Sequence, residues 1–291
     1  MGSRSLEITA VFDVPLLEIS GLGQRPQSGA RIPEMLAVGD NSFDIVVAKL
    51  PEPGETPDYR RHDLKGILDS DDAAESSEWE AADGDVTGRV FILQESPGKV
   101  FILNPELDEL VDTIDLRLDS YEDLEWSNSP NTQAEGLVLL ANGHVLVAKE
   151  KDPLLLMEFG PAGDDARGLG PGLLLMSGKE FPTPHGKRPA FELLKAWKLD
   201  EETDERINDV SDVAVGPDDR LYLLSDESRC IARVENRVSA AGASLGTTAL
   251  WRLPEELEQP EGLILTEDLV PLVAIDKGEP ERNLFVLSAL Q

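Results

Sequence analysis

The sequence predicts an all-β fold, a five-bladed β-propeller whose blades are four-stranded antiparallel sheets. A short pattern recurs five times: an acidic or hydroxyl residue, a small residue, an apolar run, a turn, a second apolar run and another acid. Further β-rich runs accompany the copies, so that one unit occupies about 50 residues plus loops, a period typical of repeat architectures. Helical periodicity is nearly absent. Four-stranded units repeated around an axis form a propeller.

Polar residues mark both ends of each copy of the pattern. The first marked positions are Ser20, Glu80, Glu135, Ser211 and Glu261. The second marked positions are Asp40, Glu95, Glu150, Asp226 and Asp276. In four copies the two positions are fifteen residues apart, and in the first copy the turn is five residues longer. The constant spacing predicts the same hairpin in each unit.

The remaining strands are predicted from runs of β-favouring residues. In the third unit these runs are 136–140, 144–149, 154–159 and 191–199. The last unit has only three runs, at 263–266, 272–275 and 284–287. We expect residues 6–14, which precede the first unit, to supply the missing outer strand and so to close the ring and remove an open sheet edge. A degenerate sixth blade is the alternative to this count.

Two long loops interrupt the repeats. Residues 51–78 contain Pro and Asp/Glu clusters, and residues 161–189 contain Gly/Pro clusters. Neither loop separates two apolar cores, so the sequence predicts a single domain over 1–291 with two insertions. Such loops tolerate insertions but also carry function, which makes them candidate lids.

The charge of the chain limits its partners. It has 57 Asp and Glu against 26 Lys and Arg, a formal net charge of −31 at pH 7, which repels phosphate backbones and anionic lipid heads. We therefore expect no nucleic-acid partner. No run approaches the ~18 apolar residues of a membrane span, so direct membrane insertion is not expected. We expect a monomer that binds a protein or a small-molecule ligand.

The first residues of the sequence bear on its compartment, and its cysteines and histidines bear on the metals that it could bind. The first residues lack the apolar core of a secretory signal, so the protein is extracytoplasmic if a targeting segment was removed and cytoplasmic otherwise. The single cysteine, Cys230, excludes an internal disulfide, and three histidines leave little for a His-based metal site. Any metal should therefore be held by oxygen.

Hairpin arithmetic predicts where the acids meet. Opposed residues of a hairpin have a constant index sum, and Glu135 and Glu150 are centred on Asn142-Gly143, a strong signal for a two-residue turn. The marked residues of each repeat should then face each other, with Cβ atoms ~4.5–5.5 Å apart. All pairs would lie at one mouth of the axial channel. Carboxylates so placed must take up protons, recruit Lys or Arg, or coordinate a cation.

Calcium suits such an acidic ring because it takes 6–8 oxygen ligands with loose geometry. The candidate ligands are Glu80, Glu95, Glu135, Glu150, Asp226, Glu261 and Asp276, with Asp40 and Ser20 as second choices because their turn is longer. The sequence thus predicts a calcium-binding module for binding or sensing. The competing interpretation is that the acids cap turns or pair with adjacent bases, namely Lys149, Lys151, Arg229 and Lys277. Because side chains alternate along a strand, each base should point away from the acid that it follows.

Several of these residues carry a family resemblance. The relevant runs are Glu18-Ile19-Ser20-Gly21-Leu22, Glu135-Gly136-Leu137, Val147-Ala148-Lys149-Glu150-Lys151-Asp152-Pro153, Leu224-Ser225-Asp226-Glu227-Ser228-Arg229 and Pro260-Glu261-Gly262-Leu263. In these runs the sequence resembles the SdiA-regulated family of bacterial β-propeller proteins and, more distantly, phytase-type or esterase-like propellers. The resemblance implies five blades, a calcium site and no established enzymatic activity. It also implies a protein that is often exported or membrane-anchored by a preceding segment.

One enzymatic alternative would use the same acids at the mouth of the channel. A calcium-dependent esterase or phosphatase would hold an anionic substrate between the metal and the four bases, although four bases over three blades do not form a phosphate cradle and the net field repels polyanions. Residues 242–246 match G-x-S-x-G without the strand–turn–helix context of a nucleophile elbow. Cys230 is expected to be a buried small hydrophobe. Glycoside cleavage is disfavoured because aromatics form only 5% of the chain.

Overall fold

Nearly all the regular structure of the chain is β-strand. The computed structural model describes residues 4–26, 33–51, 54–70, 72–74, 76–95, 98–118, 134–174, 179–183 and 188–291. Within these ranges lie 22 strands, a one-turn helix α1 (Glu201–Asp204) and two short 3₁₀ turns (Lys65–Ile67 and Asp72–Ala74). The predicted all-β class is confirmed.

The strands form a succession of antiparallel units. The first unit contains β3 (Ile19–Arg25), β4 (Glu34–Gly39), β5 (Asp44–Lys49) and β6 (Arg60–Asp63). The second contains β7 (Trp79–Gly84), β8 (Val90–Gln94), β9 (Lys99–Leu103) and β10 (Leu110–Arg117). The third contains β11 (Ala134–Leu139), β12 (Val145–Lys149), β13 (Leu155–Pro161) and β14 (Ala190–Leu199). The fourth contains β15 (Asp212–Val215), β16 (Leu221–Ser225), β17 (Cys230–Val234) and β19 (Thr247–Arg252). The last contains β20 (Pro260–Leu265), β21 (Pro271–Ile275) and β22 (Leu284–Leu287), and β2 (Ile8–Phe12) pairs with β22.

Outer strands also connect neighbouring units. β10 pairs in parallel with β14, which joins the second and third units into one sheet. The short strand β18 (Ser244–Leu245) adds to β14, and the N-terminal β1 (Arg4–Ser5) adds to β19. The segment from β1 to β2 therefore contacts both of the last two units of the chain.

Apolar side chains fill the spaces between adjacent units. In the described residues, the core divides into clusters that each take side chains from two neighbouring units. Leu36 of the first unit packs with Trp79 of the second, and Leu22 of the first packs with Ile264 of the last. The core thus runs around the molecule rather than through one central layer.

The first strand of each unit lines the axis, and these strands run in the same direction. β20 contacts β3, β3 contacts β7, β7 contacts β11, β11 contacts β15 and β15 contacts β20. The approach of β3 to β7 is so close that a Cβ on Gly21 would lie 2.4 Å from the carbonyl oxygen of Glu80. A small residue is required here because a larger one would separate the two strands.

The hairpin between β11 and β12 corrects the predicted turn. Leu139 pairs with Val145, and Leu140 donates its N–H to the His144 carbonyl at 2.9 Å. The loop therefore has three residues, Ala141-Asn142-Gly143, and is closed by the Gly143 N–H, which donates to the Leu140 carbonyl at 3.0 Å. Gly143 has φ +87°, as expected where a type I turn ends in a left-handed residue. The turn was predicted at the right place but with one residue too few.

The close packing of the axial strands gives a testable consequence. Gly21→Ala should lower the free energy of unfolding by about 1–3 kcal/mol, because the added methyl overpacks the contact with the Glu80 carbonyl. Gly278→Ala is the matched control, since a Cβ there meets no atom within 4 Å. Urea denaturation measures both, and equal stability of the two variants would contradict the close packing.

Candidate functional site

A β-bulge places the first marked residue of the repeats. In the second unit Trp79 pairs with Gln94 and Ala81 with Leu93, so Glu80 is the extra residue. The same register shift leaves Ser20 unpaired in β3, Glu135 in β11 and Glu261 in β20. A bulge bends a strand and redirects the side chain of its extra residue. The repeated acid is therefore a feature of strand geometry as well as of charge.

The bulge corrects the predicted pairing of the acids. Lys149 lies opposite Ala134, so Glu135 and Glu150 are not directly opposed. Glu95 donates its backbone N–H to the Glu78 carbonyl at 2.9 Å and is likewise not opposite Glu80. The prediction of directly opposed pairs was wrong, because an index sum is constant only along an unbroken ladder.

The second marked residues follow the second strand of each unit. Asp40 follows β4, Glu95 follows β8, Glu150 follows β12, Asp226 follows β16 and Asp276 follows β21. Since the first strands begin, and the second strands end, at the same edge of every unit, the two sets of residues lie at one end of the axis. Ser20 belongs to this end too and donates its hydroxyl to the Trp79 carbonyl.

Three bulged glutamates interact across units. Burial raises the pKa of Glu80 to about 8, and the charges of Glu95 and Asp40 add to it. Burial also raises the pKa of Glu135 well above its usual value, followed by the charges of Glu80 and Glu261. The pKa of Glu261 is raised well above its usual value by burial and by the charge of Asp226. Acids from separate units therefore share one electrostatic environment.

The acids around this group are affected in the same direction. Burial raises the pKa of Glu95 to about 7, and Glu78 and Glu150 contribute. Burial raises the pKa of Asp40 to about 6, followed by the charge of Asp276. The pKa values of Glu150, Asp226 and Asp276 are also raised, with burial as the largest cause in each. We call these eight carboxylates, together with Ser20, the acidic mouth.

One base contacts the acidic mouth. Lys151 pairs with Glu150 at 2.8 Å and with Glu227 at 3.0 Å. The expectation that Lys151 would point away from Glu150 was wrong because β12 ends at Lys149, so strand alternation does not extend to these residues. The three other bases that were expected near these acids donate to backbone carbonyls: Lys149 to Lys151 and Asp152, Arg229 to Pro254 at 2.8 Å and Lys277 to Glu281 at 3.0 Å.

Two carboxylate oxygens of the mouth are buried without a hydrogen-bond partner. They are Oδ1 of Asp40 and Oε2 of Glu150. A buried acceptor without a donor is unfavourable, so these atoms favour a bound proton or cation. Among the described residues, however, no group of three or more His, Cys, Asp or Glu side chains is arranged to hold a metal. The oxygen donors suit calcium in chemistry, but they do not form a closed coordination shell.

Sequence reasoning missed three aspartates, of which Asp212 and Asp209 are buried and Asp83 is partly accessible. Asp212 is 1% exposed and accepts the Leu263 N–H at 2.6 Å from the adjacent unit. Asp83 accepts the Gly84 N–H at 2.8 Å. Asp209 accepts the hydroxyl of Ser225 and two backbone N–H groups. Acids within the otherwise apolar strands β7 and β15 were the available signal for the first two, but neither belongs to the repeated pattern.

The other chemical candidates have structural explanations. Cys230 is fully buried, as expected, and burial raises the pKa of its thiol to about 12. Ser244 lies in the two-residue strand β18 and not in the strand–turn–helix context that a nucleophile elbow requires. His144 contacts Glu158 at 2.7 Å and Asp164 at 3.3 Å. His185 lies outside the described residues. No helix in the described ranges is long and apolar enough to cross a membrane.

Comparisons with known proteins agree with this architecture. The family model described as SdiA-regulated matches residues 67–270, which confirms the resemblance found in the sequence. No curated protein matches the chain.

Solved structures give similarity of fold. Glutaminyl cyclase from Myxococcus xanthus is 11% identical, with 98% of this chain and 97% of that chain covered and a TM-score of 0.53. PQQ-bound aldose sugar dehydrogenase from Streptomyces coelicolor is 10% identical, with 98% of each chain covered and a TM-score of 0.47. Virginiamycin B lyase from Staphylococcus aureus is 9% identical, with 98% of this chain and 75% of that chain covered and a TM-score of 0.41. At 11% identity the likeness to the glutaminyl cyclase concerns the fold alone.

The raised pKa values of the mouth predict how stability depends on pH. Acids whose pKa is higher in the folded state stabilise the fold when protonated, and this contribution is lost as pH rises through the folded pKa values. In chelator, the free energy of unfolding should fall between pH 5.5 and 8.5 by at least the ~1.4 kcal/mol that one pKa unit represents.

Two variants distinguish the interaction among the acids of the mouth from the general repulsion caused by the net charge of the chain. Glu135→Gln should stabilise the chelated protein at pH 8.5 and flatten the pH profile, because it removes one of the negative charges that repel each other at the mouth. Glu256→Gln, at an exposed position, should leave the profile as in the native protein. Thermal melting measures both, and identical profiles for the two variants would contradict the interaction among the buried acids.

Proposed function

Since this chain belongs to the SdiA-regulated family of β-propeller proteins, we propose that it is a calcium-binding module for binding or sensing, whose cation site is the acidic mouth. The observation that carries the proposal is the group of three bulged glutamates, because, beyond the effect of burial, the charge of Glu80 raises the pKa of both Glu135 and Glu261, and the charge of Glu261 raises that of Glu135. Buried like charges need either protons or a cation, and near neutral pH a divalent cation can replace the protons.

The architecture that we propose is one domain over 1–291, a five-bladed propeller closed by its N-terminal strand. Support comes from the successive antiparallel units, from the cyclic contacts of the first strands and from an apolar cluster between the last and first units. The pairing of Val11 with Phe285 supports closure because it joins the start of the chain to its final strand.

Calcium would bind between the acids at the bulges of the first strands and the acids that follow the second strands. The ligands would be Glu80, Glu135 and Glu261 from the first set and Glu95, Glu150, Asp226 and Asp276 from the second set, with Asp40 and Ser20 in second place. The unpartnered oxygens of Asp40 and Glu150 support this choice. Calcium accepts irregular sets of oxygen ligands, so side-chain rotation can complete a shell that the carboxylates do not form by themselves. When bound, the ion supplies positive charge that holds acids of separate blades together.

A bound ion also suits a module that recognises a partner. The mouth is the place where several blades meet, so a cation there links the conformation of their loops to calcium concentration. The alternative of a calcium-dependent hydrolase requires free bases to orient an anionic substrate. The four bases, Lys149, Lys151, Arg229 and Lys277, instead have carbonyl or carboxylate partners, so no observation favours that reaction.

Closure by the N-terminal strand can be tested by truncation. Deleting residues 1–14 should expose the edge of β22 and lower the melting temperature, because the ladder to β2 and its apolar contacts are lost. A synthetic peptide of residues 4–14, added to the truncated protein, should restore the melting temperature, and a scrambled peptide of the same composition should not. A truncated protein as stable as the full chain would contradict closure.

Calcium binding can be tested with the metal alone. Calcium should raise the stability of chelator-treated protein by about 2.7 kcal/mol at a hundredfold excess over its dissociation constant. Binding at pH 7 should release protons, since carboxyls with raised pKa must lose them, and calorimetry in buffers of different ionisation enthalpy measures this release.

Variants and a second metal provide the controls for calcium. Glu135→Gln and Glu261→Gln should each weaken calcium binding by about tenfold or more, whereas Glu256→Gln should bind as the native protein does. Magnesium at equal ionic strength should stabilise less, because it demands a stricter octahedral geometry. If magnesium and calcium act equally and the three variants do not differ, the effect is screening of the net charge and the proposed site is wrong.

A further inference from the structure

A cavity lies on the axis at the end away from the acidic mouth. It has a volume of about 500 Å³, within the range of ~300–1,000 Å³ that is typical of small-molecule sites. Its walls come from the second halves of the first strands, including Leu22, Val138, Val213 and Ile264. Because the acids of the mouth lie where the first strands begin and the second strands end, the cavity and the mouth are at opposite ends of the axis.

The walls of the cavity are partly apolar and partly polar, and one carboxylate lies among its strand residues. Among the described lining residues only Asp83 and Glu267 are charged. Glu267 is exposed in the loop between β20 and β21, whereas Asp83 lies within β7 and is partly accessible. Burial raises the pKa of Asp83 to about 7, against the lowering effect of the Gly84 and Leu139 N–H groups.

No base in the described part of the chain forms a salt bridge with Asp83. The nearest strand carries Arg25, whose Cβ packs where a side chain on Gly84 would lie. The Arg25 guanidinium, however, binds Glu34 at 2.5 Å and the Pro105 carbonyl at 2.7 Å. The guanidinium of Arg25 is therefore occupied by these partners, and within the described residues the carboxylate in the cavity has no positively charged partner.

We propose that this cavity binds a small organic cation, an ammonium group on an apolar body, with Asp83 as its counter-ion. The apolar walls would bury the body of the ligand, and the carboxylate would accept a charge-assisted hydrogen bond from the ammonium group. A neutral ligand would leave the carboxylate without a positively charged partner, and an anion would be repelled by Asp83, by Glu267 and by the net charge of −31.

The proposal does not depend on calcium at the mouth. The two sites use different residues of the same strands: Glu80 at the bulge of β7 and Asp83 three positions later. A calcium ion is small and strongly hydrated, and it prefers several oxygen ligands, which the cavity wall does not offer. An organic cation needs apolar contact as well as charge, and the mouth offers chiefly carboxylates.

Calorimetric titration with three matched probes tests the proposal. The probes are 2-phenylethylammonium, its neutral analogue 2-phenylethanol and the anion 3-phenylpropionate, each added to the full chain with calcium in excess. We expect the ammonium probe to bind at least about tenfold more tightly than the alcohol, as one charge-assisted hydrogen bond allows, and the anion to give no measurable heat.

Two variants locate the binding. Asp83→Asn should lower the affinity for 2-phenylethylammonium by about tenfold or more and leave that for 2-phenylethanol unchanged. Glu135→Gln, at the mouth, should leave both affinities unchanged even if it abolishes calcium binding. Equal affinities for the ammonium and the alcohol, or a larger loss in Glu135→Gln than in Asp83→Asn, would overturn the proposal.

Amide chemical shifts in the native protein provide a test that does not require the Asp83 variant to fold. On titration with 2-phenylethylammonium, the largest changes should occur at residues 82–84 and 213–216. Changes confined to residues 80, 95 and 135 would mean that the probe binds at the acidic mouth, and the proposal would be wrong.

Discussion

The first strands of the units run in one direction around a common axis, and the rest of the structure depends on this constraint. Parallel neighbours that pack as closely as β3 and β7 must have small residues at the contact, which accounts for Gly21. They must also bring their starting residues to one place. The bulge then turns the acids at these starts out of the ladder, so that Glu80, Glu135 and Glu261 converge. Charge repulsion at the mouth is a consequence of strand packing.

Among the described strands, the first strand of each unit has one edge without a sheet partner, and the groups along this edge have different partners at different positions along the axis. Near the middle, Asp212 accepts the Leu263 N–H from an adjacent unit, so that a side chain replaces part of a missing sheet partner. At the mouth, several carboxylates have acidic neighbours and few hydrogen-bond donors near them. Toward the other end, Asp83 lines a cavity whose other strand residues are uncharged. One architecture thus produces two acidic environments with different chemistry: several oxygens close together at the mouth, and a single strand carboxylate in the cavity.

The repeat in the sequence was sufficient to predict much of the fold, because each unit contains its own strands and turns. It predicted the hairpin at Asn142-Gly143, the pairing partners within units and the end at which the acids lie. It did not predict the bulge, since nothing in an index sum signals an extra residue, and it therefore wrongly opposed Glu135 to Glu150. It missed Asp83 because a residue that occurs in one unit has no repeat to mark it. Lys151 was misjudged because strand alternation ends at Lys149.

The central claim is that carboxyl groups from separate units share one buried environment at the mouth. A carbon NMR titration of the labelled Asp and Glu side chains, in calcium-free protein, tests it without a variant or a ligand. We expect the carboxyls of Glu80 and Glu95 to titrate near pH 8 and 7, as burial and their neighbours require, and calcium to move both transitions to lower pH. Titration of all mouth carboxyls near pH 4.5, with or without calcium, would contradict the account.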